Sequence, residues 1–338
     1  MTDAALLTWP AGRAVRTLLE RFLEEARAAR ARLDAEPTDP EALHDLRVAL
    51  RRLRSTERAY RDLLEPILGK KLRKRLKAVA SATGPARDAE VQLAWLEQQR
   101  ESIKTHERAG FQWLHRRLRA RVDEEYGHVR AHVCPDFDRS CERLGERLAL
   151  TYPDGTEPFG VVAARLVREA TTELAEHLSR VHGESDEVEV HQARIAGKRI
   201  RYLIEPLRGE LEPLKALVAE LKTLQDVMGE IHDIQVLSAE LRQAAEEAGA
   251  SRFSQLIDLS LQRDTHDPAL ESARRQDERA GLMTLARELH ERHQDLFSRL
   301  LGKIEAGDAE ELVVHLYAAA DALEAGAREA MEDVNDAG

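Results

Sequence analysis

The sequence predicts an all-α fold, and three observations lead to that prediction. Aromatic residues make up only 4% of the 338 residues and charged residues 33%, a composition that favours helices and leaves few β-branched or aromatic runs for strands. Apolar residues recur three, four and seven positions apart, which is the spacing of one helix face. A unit of about 145 residues also occurs twice. Together these observations predict two tandem four-helix bundles related by internal pseudo-twofold symmetry.

In the first half, prolines and glycines indicate where helices begin and end. Thr38 or Asp39 is expected to cap the second helix. Pro66 should end that helix, and Gly84-Pro85 should kink or break the third. The helices predicted for this half span residues 11–35, about 39–64, 67 to 84, 86 onward and about 108–132.

A region that contains Pro135, Pro153 and Pro158 is expected to be loose and to separate the two halves. We therefore assign residues 1–150 to the first four-helix half and 151–306 to the second. The second half repeats the order of the first. Its helices are predicted over about 158–181, over a stretch that ends near Pro206, around 221–237, and up to about residue 304.

Two further segments fall outside the repeated pattern. Residues 250–280 are polar and are expected to form a mobile insertion. Residues 307–338 form an acidic C-terminal tail, in which LVVHLYAAADAL predicts a short amphipathic helix. The rest of the tail is expected to be partly disordered because it is rich in acids.

The clearest repeated feature is a row of basic residues beside an apolar row. Residues 43–54 read LHDLRVALRRLR, and residues 190–201, 147 positions later, read VHQARIAGKRIR. On a helix, each copy presents an apolar face and a neighbouring face with one histidine and three cations along roughly 15 Å. We name these rows the first basic ladder, His44, Arg47, Arg51 and Arg54, and the second basic ladder, His191, Arg194, Lys198 and Arg201. Arg52 and Arg199 lie at their edges.

The charge distribution favours an anionic ligand although the net charge is −11. Residues 44–77 contain twelve Lys or Arg against four acids, whereas residues 305–338 contain ten acids against one arginine. Local fields, not the total, should therefore decide what binds. Pseudo-twofold symmetry would make the two ladders face each other across a basic central pore, where one shared polyanion relieves the repulsion within both.

A second repeated element follows each ladder. Residues 76–93 and 221–237 align at an offset of 145, so that Arg87 corresponds to His232 and Asp88 to Asp233. We interpret the two aspartates as structural, and Arg87 and His232 as further pore cations. The lysines expected to add to the pore wall are Lys70, Lys74, Lys77, Lys215 and Lys222.

The motif His-x-x-Arg-[Val/Ile]-Ala-x-[Arg/Lys]-Arg-[Leu/Ile]-Arg, present twice, and the later Gly-x-x-[Arg/His]-Asp resemble those of the CHAD family, the conserved histidine α-helical domain. The resemblance covers most of residues 11–306. It implies two four-helix bundles around a basic central pore that binds inorganic polyphosphate, frequent association with polyphosphate granules, and no catalysis by the domain itself. The departures are Gly197 in the second apolar row, the polar insertion and the acidic tail; none removes a basic motif residue.

Alternative interpretations of the same residues stay open. The ladders could be solvated helix faces that pair with Glu and Asp, although duplication on matching faces argues against this. Single-stranded nucleic acid would also suit a cationic row, but few aromatic residues are available to stack bases. A third possibility is an enzyme, such as a phosphohydrolase, or an accessory factor of a polyphosphate- or triphosphate-processing enzyme. Against catalysis, the motifs lack the carboxylate cluster that a catalytic metal requires.

Other features predict a protein without metal or cofactor in the cytoplasm. His44 and His191 have no further ligands at metal-binding spacing, and we expect each to contact phosphate or to orient an arginine. His128, His132 and Cys134, like His290 with His293, resemble zinc ligands but lie outside the repeated motifs. The two cysteines form no disulfide framework, and neither a signal peptide nor a membrane span is expected.

Overall fold

Eleven α-helices with defined bounds make up most of the described part of the chain. The structure is a computed structural model that describes residues 6–36, 39–209, 211–262, 267–268, 270–271 and 278–336. The helices of the first half are α1 Ala11–Ala35, α2 Pro40–Ala59, α3 Arg61–Ala82, α4 Gly84–Gln98, α5 Arg108–His128 and α6 Cys134–Leu148. Those of the second half are α7 Phe159–Leu178, α8 Glu187–Ile204, α9 Glu212–Gln262, α10 Arg279–Glu305 and α11 Asp308–Asp336.

The observed helix caps and breaks of the first half agree in part with those predicted from the sequence. Asp39 caps α2, its carboxylate accepting a hydrogen bond of 2.9 Å from the backbone N–H of Glu41. However, α2 ends at Ala59 and not near residue 64, because Tyr60 leaves the helical conformation and packs its ring 5.4 Å from that of Phe159. Pro66 is accommodated inside α3, and the kink lies at Gly69, whose φ of 58° is accessible to glycine.

The break at Gly84-Pro85 is confirmed, whereas the predicted loose region begins too early. Helix α3 ends at Ala82, and α4 begins at Gly84. Pro135, in contrast, is helical: it is the second residue of α6, which follows the π-helical turn Val129–Val133 without interruption. The irregular connection between the halves is therefore limited to the residues between α6 and α7.

Helix α9 contains 51 residues and differs most from the predicted pattern. It passes Gly229 without a break, because no proline follows this glycine as Pro85 follows Gly84. Its last part includes residues 250–262 of the predicted insertion, which are helical. Residues 263–266, 269 and 272–277 of that insertion lie outside the described residues.

Two compact units result, and each takes chain from both predicted halves. The first unit consists of Met1–Gly84, His128–Gly229 and Ser298–Gly338, and the second of Pro85–Gly127 and Glu230–Phe297. Both ladder helices, α2 and α8, belong to the first unit. The boundary at residue 150 describes the sequence repeat and stays a prediction as a division into domains.

The apolar rows beside the ladders form part of the core of the first unit. All members of both rows are buried: Leu43, Leu46, Leu50, Leu53, Val190, Ala193, Gly197 and Ile200. Helix α2 packs against α1, α3 and α8, and α8 also packs against α7. Burial of these rows fixes which face each ladder helix turns outward.

Residues Asp308–Asp336 of the C-terminal tail form a helix, in contrast to the partial disorder that their acidic composition suggested. Helix α11 lies along α7 and buries Leu316, Ala320, Leu323 and Ala327. The two helices approach closely at Gly160, where an added Cβ would come within 2.8 Å of the backbone oxygen of Leu323. The apolar spacing therefore outweighs the acidic composition that suggested disorder. None of the described helices combines the length and apolar character that crossing a membrane requires.

Candidate functional site

The two basic ladders lie on adjacent helices of the first unit. Because their apolar rows are buried, the ladder side chains sit at the margin of the core, and all eight are partly exposed. Helices α2 and α8 pack directly against each other. The structure thus brings both predicted rows of cations into one compact unit, as half-buried charges on neighbouring elements.

Arg47 has a structural contact that the sequence did not reveal. Its Nη1 donates to the backbone oxygen of Thr83 and, at 3.1 Å, to the hydroxyl of the same residue. Thr83 is buried and follows the last residue of α3. Arg47 therefore stabilises the carbonyl end of α3, which lacks partners within the helix, and joins it to α2. The glycine and proline that follow Thr83 were the only sequence signal for this helix end.

The two edge arginines are neutralised by carboxylates of other elements. Arg52 forms ion pairs of 3.0 Å with Glu25 on α1 and 2.6 Å with Glu205, which follows α8. Burial opposes the charge of Arg52, but its hydrogen bonds to these carboxylates outweigh burial and raise its pKa. Arg199 likewise pairs with Glu173 on α7. Both were predicted to bind a ligand, and the structure uses both to join helices.

Three ladder arginines have a different environment. Within the described residues, no carboxylate oxygen lies within 4.0 Å of the guanidinium nitrogens of Arg51, Arg54 or Arg201. The Nε atoms of Arg54 and Arg201, which are equivalent in the repeat, are buried and have no hydrogen-bond acceptor. The nearby carboxylate of Glu57 instead pairs at 3.8 Å with Arg73.

Among the described residues, the Arg201 head group contacts the side chain of Tyr202. The guanidinium carbon lies 5.2 Å from the centre of the tyrosine ring, and Nη2 donates to the tyrosine hydroxyl at 3.4 Å. These contacts orient the arginine but supply no negative charge. A cation held in place without a neutralising acid is suited to bind an anion.

The second ladder affects the ionisation of its own histidine. Partial burial, followed by the positive charges of Arg194 and Lys198, lowers the pKa of His191 below its ordinary value of 6.5. The unliganded site therefore holds this imidazole mainly in its neutral form at neutral pH. An anion bound beside the same cations would favour the imidazolium.

The predicted lysines lie on the surface of the same unit. Lys70, Lys74 and Lys77 are exposed on α3, and Lys215 and Lys222 are exposed on α9. Among the described residues, no carboxylate lies within 4.0 Å of any of these five ammonium groups. Long, solvated side chains of this kind provide positive charge that can move toward a ligand.

Arg87 and His232 belong to the second unit, and their participation in the ladder site stays a prediction. Arg87 pairs at 3.3 Å with Glu90 one turn later on α4. His232 lies on α9, and its neighbour Asp233 is exposed. Within the described ranges no group of three or more His, Cys, Asp or Glu could hold a metal ion. The ladder site thus offers cationic hydrogen-bond donors as its main chemical groups.

Comparison with known proteins agrees with this helical architecture. The sequence profile of the CHAD domain matches residues 13–242. Two solved structures are similar in fold. The crystal structure of the CHAD domain from the plant Ricinus communis has 21% sequence identity and a TM-score of 0.58, covering 82% of this chain and 93% of its own. PptA from Streptomyces chartreusis has 18% identity and a TM-score of 0.60, covering 87% and 100%. No curated protein matches the chain.

Proposed function

This chain belongs to the CHAD domain family, and from that membership we propose that it binds inorganic polyphosphate through the basic ladders of α2 and α8 without catalysing a reaction. The proposal includes a cytoplasmic location, which was expected from the two cysteines and from the lack of a predicted signal peptide, and an association with polyphosphate granules, which the resemblance implies. It assigns no metal and no cofactor to the site.

The observation that carries the proposal is the contrast between neighbouring arginines. Arg52 and Arg199 have carboxylate partners, whereas Arg54 and Arg201 have none among the described residues and each keeps a buried Nε without an acceptor. Buried guanidinium N–H groups without an acceptor are costly, and an oxyanion that accepts their hydrogen bonds would remove this cost. The same situation occurs at equivalent positions of both repeats.

The chemistry of the ladders fits a linear polyphosphate. Each ladder spans roughly 15 Å of helix, so several phosphates in a row could contact it. Guanidinium groups bind phosphate oxygens in a bidentate manner, and the exposed lysines add mobile point charges. Polyphosphate has no bases or sugars, and none of the eight ladder residues is a phenylalanine, tyrosine or tryptophan on which a base could stack.

The proposal is tested by removing the two equivalent arginines that lack acids. We expect Arg54→Ala combined with Arg201→Ala to weaken the binding of long-chain polyphosphate about 100-fold, because two charge-assisted hydrogen-bonding groups are lost. Isothermal titration calorimetry at low salt measures this affinity. Arg58→Ala combined with Arg208→Ala removes the same charge from exposed arginines and should change the affinity about twofold or less.

Two competing ligands and one assay make the result decisive. Pyrophosphate should bind more weakly than long-chain polyphosphate because it reaches fewer cations. Single-stranded DNA should compete poorly, and no orthophosphate should be released during incubation with divalent metal ions. Equal loss of affinity in the two double variants, or phosphate release by the native chain, would contradict the proposal.

A further inference from the structure

A cationic cavity separate from the ladders lies in the first unit, on a face of α3 that the ladder site does not use. It has a volume of about 420 Å³, within the range of small-molecule sites. Its polar wall consists of Arg75, His128, His132, Asp136, Arg139 and Ser140, and its apolar wall of Ala78, Val79, Ala82 and Val133. A cavity with a charged side and an apolar side suits a ligand with both characters.

An irregular turn of the chain places the two histidines at the cavity. Between α5 and α6 the chain forms a π-helical turn, Val129–Val133, a rare element that is frequent at functional sites. The turn carries His132 and directly follows His128, and their ring centroids are 5.0 Å apart. Val129 and Val133 are buried, which anchors the turn and leaves the two imidazoles on the cavity side.

The charges of the cavity wall favour an anion over a metal ion. Arg75 approaches from α3 and Arg139 from α6, and Arg139 already pairs with Asp136, the only carboxylate in the described wall. A divalent cation at the two imidazoles would be repelled by both guanidinium groups and would lack a free acidic ligand. Phosphate oxygens, in contrast, accept hydrogen bonds from guanidinium and imidazole N–H groups.

The cavity is separate from the proposed polyphosphate site. Successive residues of a helix are rotated by about 100° about its axis. Arg75 therefore points about 130° away from the exposed row on α3 that consists of Lys70, Lys74 and Lys77. The geometry points to a binding site for the phosphate group of a small molecule, with Arg75, Arg139 and the two histidines as donors. The apolar wall would hold the remainder of an organic phosphate.

The test compares matched double variants of the full chain by titration with inorganic phosphate and with adenosine monophosphate. Arg75→Ala combined with His132→Ala should weaken phosphate binding about tenfold or more. Arg130→Ala combined with His182→Ala removes the same residue types from exposed positions outside the cavity and should leave the affinity within about twofold. Tighter binding of adenosine monophosphate than of inorganic phosphate would identify an organic ligand, and equal affinities an inorganic one.

The ladder variant separates this inference from the proposed function. Arg54→Ala with Arg201→Ala should lose polyphosphate but keep inorganic phosphate, and the cavity variant should do the reverse. Circular dichroism establishes that each variant is folded. Arg75→Glu, which inverts one exposed charge, should also weaken the binding of inorganic phosphate. The inference is overturned if native protein fails to bind phosphate, if the ladder variant loses it, or if Zn²⁺ displaces it at the histidines.

Discussion

Arginines two positions apart on α2 differ sharply in their environment. Arg52 is turned about 200° away from Arg54, toward α1 and the end of α8, where Glu25 and Glu205 neutralise it. Among the described residues, Arg54 forms no ion pair within 4.0 Å, and its buried Nε has no acceptor. Ion pairs of this kind hold helices together and are not available to a ligand without loss of the pair. The residue type alone therefore does not identify a binding residue in these motifs.

His191 should make polyphosphate binding depend on pH. Its pKa is lowered in the free protein by burial and by Arg194 and Lys198, and a bound polyanion would raise it again, so binding takes up a proton. We expect affinity to increase as the pH falls from about 8 to about 6. Titration calorimetry at several pH values measures this slope, and His191→Gln should reduce it.

The same residue should influence stability with a definite sign. Because the folded-state pKa of His191 lies below the unfolded value, the unfolded chain binds the proton more strongly. Its favourable contribution is complete above the unfolded pKa and is lost as the pH falls through the folded pKa. A pH slope of affinity that His191→Gln leaves unchanged would rule out its role in binding, and urea denaturation of both proteins at several pH values tests its contribution to stability.

At the scale of elements, a proline that is present in only one of the two copies of the motif makes their helices differ. Gly84-Pro85 ends α3 and starts α4, whereas Gly229 is followed by Glu230 and α9 continues. The proline removes a backbone donor and clashes with the preceding turn, and a glycine alone does neither. The repeat is therefore close in sequence pattern but not in helix continuity.

A close contact between α5 and α10 gives an element-scale prediction. A Cβ at Gly281 would overlap the backbone oxygen of Glu107, and one at Gly110 would overlap that of Glu278, so both helices require glycine where they meet. We expect Gly281→Ala to lower the free energy of unfolding by about 1–3 kcal/mol or more. Urea denaturation measures this change.

Gly249 is the matched control because it lies inside α9, in the same unit, with no atom near its missing Cβ. Gly249→Ala should raise the free energy of unfolding by about 0.5–1 kcal/mol through helix propensity. If Gly281→Ala stabilised the protein as Gly249→Ala does, the close packing of α5 and α10 would be incorrect.

At the scale of the whole molecule, local charge has to overcome a net charge of −11. Binding of a polyanion should therefore weaken steeply with salt, since each phosphate that is neutralised releases condensed counterions. By analogy with nucleic acids, six ladder cations predict a loss of about 10³ in affinity between about 50 and 200 mM salt. Titrations over this range test the prediction, and the Arg54→Ala, Arg201→Ala variant should lower the log–log slope by about 2. A salt-independent affinity would exclude the ladders as the binding surface.

Some acidic residues near the C-terminus form ion pairs between helices, whereas we propose that the basic ladders bind a ligand. Arg168 on α7 pairs at 2.7 Å with Asp321 and at 2.7 Å with Glu324 of α11. Part of the negative charge is thus used in packing this helix on α7. The acidic composition of residues 307–338 suggested partial disorder, but the apolar spacing in this segment favours the helix that is observed over Asp308–Asp336.

The sequence by itself determined the helical class, the buried rows of α2 and α8, the break at Gly84-Pro85 and the family. These features depend on spacing within a few turns of chain, and such patterns are visible without coordinates. Only the tertiary structure decided that Glu205 neutralises Arg52, that Arg47 contacts the end of α3, and that a π-helical turn lines a cationic cavity beside α3. The reason is that each of these depends on residues far apart in the chain, whose approach is set by packing of the helices and not by local periodicity.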